Sequence, residues 1–214
     1  MTKILYSLVI CVIFLAACGA DPKITVRVIP SPTPLVWEAL PEPVREFLQN
    51  ETVEEALAWM EASEWQYVEV DGLPPGSVNA SPSVSLAQKR GECFETAAIF
   101  SLLAMKRGDT PYLLHIIQGE TINHDIHLFQ DSTSGKWGYV DYPDYTSAKF
   151  GSAMKAIESY LENIRTRIVE DLPVEWMMID WQAFADRGVD WVTTGGDLEI
   201  YSHYAETSGT YNYK

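Results

Sequence analysis

Gly91-Glu-Cys-Phe-Glu-Thr-Ala-Ala-Ile-Phe-Ser-Leu-Leu-Ala-Met-Lys-Arg-Gly108, with Pro111-Tyr-Leu-Leu-His-Ile-Ile-Gln118 close behind it, is the stretch that decides the fold. Helix-forming residues dominate from Phe94 to Lys106, and apolar side chains cover most of the circumference, which marks a central, buried helix. Arg107-Gly108 adds a basic last turn and a glycine stop. The apolar run from 111 to 118 reads as a buried strand. A second strand is expected over about 125–130, a turn over 131–135 and a third strand over 136–141. A helix followed by antiparallel strands predicts an α+β fold, the helix packed against the sheet.

Cys93 falls in the first turn of that helix. There the unpaired N–H groups and the helix dipole favour a thiolate, and the same N–H groups can bind the oxyanion formed when a thiolate attacks a carbonyl. The chain has three cysteines, and the other two, Cys11 and Cys18, belong to an N-terminal segment that reads as an export signal. Oxidising compartments favour paired cysteines, so a thiol with no intramolecular partner suggests reactive chemistry. The competing explanation is a buried, inert thiol. Downstream, alternation puts His127 and Phe129 on one face of the second strand, and Trp137, Tyr139 and Asp141 on one face of the third. A hairpin turn then brings His127 and Asp141 to the same end of the pair. A carboxylate there fixes an imidazole as the third member of a nucleophile–base–orienter triad.

The segment from Gly91-Glu-Cys93 through the helix to Arg107-Gly108 and the strand 112–117 resembles the cysteine motif of the transglutaminase-like superfamily. His127, then Gly135-Lys-Trp137, then Val140-Asp141 resemble its second and third motifs, in the right order. The resemblance covers about residues 80–145. It implies a papain-like fold and a thioester acyl-enzyme, in a family of amide crosslinkers, peptidases, deamidases and some non-catalytic relatives. It also implies the roles: Cys93 as nucleophile, His127 as general base and acid, Asp141 as the orienting carboxylate. Phe129 stands where the family more often has Trp, and beyond Asp144 the resemblance ends. His124 should face away from His127 on a regular strand and is the alternative base if a bulge re-aims it. His115 reads as a core histidine, and His203 has no assigned role. Gln88 is close enough to Cys93 in sequence to be considered as an oxyanion donor, although ordinary solvated polarity explains it as well.

Outside this region the chain divides simply. Residues 1–17 read as a lipoprotein signal peptide, with Lys3, an apolar run too short to span a bilayer comfortably, and Leu15-Ala-Ala-Cys18 as a lipobox in which Cys18 is lipidated. Residues 18–36 are a tether rich in proline. The domain then spans 37–214. Short helices are expected at 43–49 and 51–62, a loop at 71–82 and a helix at 147–169. Trp176, Trp181, Phe184 and Trp191 lie in aromatic-rich segments expected to complete the domain as a lid or core, with a substrate platform as the alternative. Localisation is expected at a cell or outer membrane, lipid-anchored and facing the extracytoplasmic side.

A net charge of −15 argues against nucleic acid or anionic membrane surfaces as general partners. The expected partners are a protein or peptide substrate and, through the lipid, the membrane. No cofactor is implied. His124, Asp125 and His127 have weak metal-ligand spacing, and Asp141 and Asp144 lack the ordered spacing of a calcium loop, so no metal is assigned.

Overall fold

A computed structural model describes residues 39–73, 77–119, 122–165, 172–181, 193–194 and 205–213. Its elements are α1 (Glu42–Phe47), α2 (Val53–Ala62), β1 (Ser77–Asn79), α3 (Pro82–Gln88), α4 (Cys93–Arg107), β2 (Thr110–Gln118), β3 (Ile122–Gln130), β4 (Trp137–Asp141), β5 (Asp144–Phe150), α5 (Ala153–Asn163), β6 (Val174–Asp180), β7 (Thr193–Thr194) and β8 (Ala205–Tyr211). The fold is α+β. Six antiparallel strands form the main sheet in the order β5-β4-β3-β2-β6-β8, and β1 pairs with β7. No helix among the described residues is long and apolar enough to cross a membrane.

Strand alternation divides the core between the two faces of the sheet. Leu113 and Val140 face α4, where they join clusters containing Phe94, Ala97, Ala98, Phe100, Leu103 and Trp181. Leu114, Ile116, Ile126, Leu128 and Tyr139 face the other way, onto Ile157, Tyr160 and Leu161 of α5. Every residue of α4 from Phe94 to Ala104 is buried, as its all-round apolar sequence predicts. Gly108 ends that helix in the left-handed conformation, φ 81°, where a side chain is strained.

The helix expected over 147–169 is corrected. Asp141-Tyr-Pro-Asp144 turns the chain back, and Asp144–Phe150 pairs with β4 as the edge strand β5. The helix begins only after Gly151, where the Ser152 side chain accepts a hydrogen bond from the Lys155 N–H. Residues 166–169 lie outside the described residues. Trp176 and Trp181 are buried, as expected, but Trp176 sits in β6, and strands β6 and β8 extend the main sheet. Phe184, Trp191, His203, Cys18, the signal segment and the tether lie outside the described residues.

Gly138 shows how tightly β4 is packed. A Cβ added there meets Phe129 Cζ and the Thr146 carbonyl oxygen, each at 2.6 Å. At Gly151 it meets nothing within 4 Å. Gly138→Ala is therefore expected to lower stability by ~1–3 kcal/mol, and Gly151→Ala to leave it within ~0.5 kcal/mol. Urea unfolding midpoints of the two variants test this; equal midpoints would refute the close packing.

Candidate active site

Cys93 opens α4 at the first helical position, as its sequence context predicts, and is a partly exposed free thiol. The helix start is built by Glu92 and Glu95, which cap each other's backbone N–H groups. Glu95 is buried, and a second oxygen accepts the Ala80 N–H at 2.8 Å. Burial raises its pKa against the lowering effect of those N–H groups. The carboxylate thus ties the loop before α3 to the tip of the helix. Gly91 is obligatory beside it, since an added Cβ lies 2.6 Å from Glu95 Cβ and 3.3 Å from the Trp65 ring.

The structure brings His124, not His127, to Cys93 and Asp141. His124 Nε2 lies 2.9 Å from Asp141 Oδ1, and the thiol of Cys93 is within hydrogen-bonding reach of the same ring. With Nε2 taken by the carboxylate, Nδ1 is the nitrogen left for sulfur. The Tyr160 hydroxyl, from α5, donates to Asp141 Oδ2 at 2.9 Å. Burial pulls the imidazole pKa down. Hydrogen bonds to Asp141 and Cys93, together with their negative charges, outweigh it and hold the pKa at about 10.

The reason for the exchange of histidines is register. β3 pairs regularly with β2 and carries no bulge. In the β3–β4 hairpin His127 stands opposite Val140, so Val140 shares its face. Asp141, the next residue along β4, necessarily points to the other face, with Ile126 and His124. The expected His127–Asp141 pairing assumed the opposite parity. β3 also runs past the end of β4, which leaves His124 beyond the last paired row.

His127 instead points into the α4 side of the core. Its Nδ1 is 3.0 Å from the Ser101 hydroxyl, and its ring stacks on Phe129 with centroids 5.5 Å apart. Burial, and next the positive charge of Arg107, push its pKa down to about 3. His115 is buried, as expected of a core histidine, with Nδ1 2.8 Å from Asp125 Oδ1. Asp125 is thus turned to His115 while His124 and His127 face opposite sides, so these three side chains do not converge on one metal position. Among the described residues no group of three or more such ligands is clustered. Gln88 is spent on structure: its side-chain amide accepts from the Asp71 N–H at 3.0 Å and donates to the Asp71 carbonyl at 2.9 Å.

Tyr67 is the residue sequence reasoning missed. Its hydroxyl is within hydrogen-bonding reach of Cys93, and its ring stacks on Tyr142, interplanar angle 11°. Burial, followed by the charges of Cys93 and Asp141, raises its pKa. No motif announces it, because it lies in an irregular segment well before the cysteine.

Compared with known proteins, the chain matches no family model and no curated protein.

His127 makes stability depend on acidity. Its folded pKa of about 3 lies below the ~6.5 of an unfolded chain, so the unfolded state takes up the proton first as pH falls. Stability from this residue is complete above ~6.5 and is lost as pH drops toward 3, by up to ~1.4 kcal/mol per unit. His127→Gln is expected to flatten the fall in melting temperature between pH 6.5 and 4 relative to wild type. Parallel curves for the two proteins would show that His127 is not held neutral.

Proposed function

We propose that the chain is a cysteine hydrolase or acyltransferase acting on an amide bond, with a transglutaminase-like, papain-like arrangement of its catalytic groups. The observation that carries this reading is the His124 ring, held by Asp141 on one side and meeting the Cys93 thiol on the other. A helix start, an imidazole and a buried carboxylate so arranged form a nucleophile–base–orienter set. His124 takes the part that the sequence resemblance gave to His127.

Cys93 gives its proton to His124, making the imidazolium; the sulfur adds to the carbonyl carbon, and the carbonyl π pair moves to oxygen. When the tetrahedral intermediate collapses, the C–N pair leaves with the amine, which takes the proton of the His124 imidazolium. Asp141 stabilises that imidazolium and fixes its orientation, and Tyr160 fixes Asp141. The resulting thioester is resolved by water, giving hydrolysis, or by a second amine, giving transfer; His124 accepts the incoming proton in either case. With its pKa held at about 10 by Asp141 and Cys93 against the effect of burial, His124 in the free protein carries its proton throughout the neutral range as attack begins.

The partly exposed site and the acidic chain support a protein or peptide amide as substrate. The lipobox supports a lipid-anchored protein on the extracytoplasmic side of a cell or outer membrane. Cys18→Ser is expected to remove labelled palmitate from the chain made in a bacterial host, and retained label would exclude lipidation at that cysteine.

Alkylation of Cys93 by iodoacetamide, located by peptide mass mapping, tests the site directly. At pH 7 His124→Ala should slow alkylation at least ~10-fold, and amide turnover by ~10²–10⁴. Equal alkylation of wild type and His124→Ala would mean an unassisted thiol, and a binding module would then be the better description.

A further inference from the structure

Tyr67 is held against the nucleophile by more than its own side chain. The Gln66 N–H donates to the Lys89 carbonyl at 2.9 Å, and the Gly91 N–H donates to the Gln66 carbonyl at 3.2 Å. These bonds form a short parallel bridge, Gln66 with Arg90, just upstream of Cys93. The Val68 N–H also donates to the Gln66 carbonyl, at 3.0 Å, so the chain turns tightly at Tyr67 and presents it. The far end of the segment is fastened by the paired Gln88–Asp71 bonds and an Arg90–Asp71 ion pair. The absence of a side chain at Gly91 lets Trp65 approach. Tyr142, next to Asp141, braces the ring. The residue is nevertheless 44 % exposed, so one side of the ring faces the solvent from which a substrate arrives.

We propose that Tyr67 is a catalytic residue, the side-chain donor to the oxyanion, working with the backbone N–H of Cys93. This rests on the cysteine-enzyme reading above and extends it. A donor already within reach of the sulfur is close to the carbonyl oxygen once carbon is bound there, because that oxygen is two bonds from sulfur. The Cys93 N–H, at the first helical position, has no intrahelical acceptor and points outward from the helix start. Two donors of this kind, fixed before reaction, stabilise the charge as it forms. A phenol whose pKa is raised by burial and by neighbouring negative charge keeps its proton and acts as a donor throughout the neutral range. In the step itself the sulfur–carbon bond forms, the carbonyl pair moves to oxygen, and the Tyr67 proton is shared with that oxygen without being transferred.

The test compares two reactions of Cys93 in wild type and Tyr67→Phe, which keeps the ring. Acetylation by p-nitrophenyl acetate passes through an oxyanion and expels p-nitrophenolate, which needs no proton from His124. Alkylation by iodoacetamide passes through none. Tyr67→Phe is expected to slow acetylation ~10²-fold, read as the nitrophenolate burst and the acetyl mass on Cys93, while alkylation stays within ~2-fold of wild type. The unchanged alkylation rate also shows that the site is intact. Equal acetylation by the two proteins overturns the proposal, as does an equal loss in both reactions, or a gain in both, the mark of a blocking residue. If wild type is alkylated but never acetylated at Cys93, the enzyme reading itself falls, and this one with it.

Discussion

The pairing of His127 with Val140 is the constraint on which the site depends. Once that rung is set, alternation sends Val140 and His127 to the α4 side and Asp141 and His124 to the α5 side. A slip of one residue in the hairpin would turn β4 over, so that the carboxylate met His127 and left His124. Register is protected by burial on both faces, since either slip drives a polar side chain into hydrocarbon. Gly138 contributes, because the Phe129 ring lies where its side chain would be.

The central helix, the hairpin and the place of Cys93 at the helix start were legible in the sequence because each rests on local periodicity or a local stop signal. Gly108 ends α4 as read, and Cys93 opens it. The choice between two histidines three residues apart was not legible. It turns on the parity of a turn, which composition does not encode, whereas strand alternation alone leaves both parities open. The segment 147–150 was misread because the helical spacing from Met154 to Ile168 was extended back over it, whereas it pairs with β4 as part of the edge strand. Tyr67 was hidden for a related reason: its role follows from a bridge between distant segments, through backbone groups that carry no side-chain signature.

A half-buried and a buried histidine of one strand are thus pushed in opposite directions by their surroundings. Asp141 and Cys93 outweigh burial at His124, and its pKa goes up; burial, and next the charge of Arg107, act on His127, and its pKa goes down. Glu95 adds a buried ionisable group near the helix start, satisfied by backbone N–H groups in place of a cation. Such groups are costly to bury, and each is used to fasten an element whose position matters to the thiol.

Asp141 receives hydrogen bonds from different elements, from His124 in the sheet and from Tyr160 in the helix that covers it. Cys93 enters from the helix on the opposite face. A chain in which α5 has not docked therefore carries the sulfur without the full set of its partners. The meeting of sulfur, imidazole and carboxylate is thus a property of the completed tertiary structure and of no single element of it.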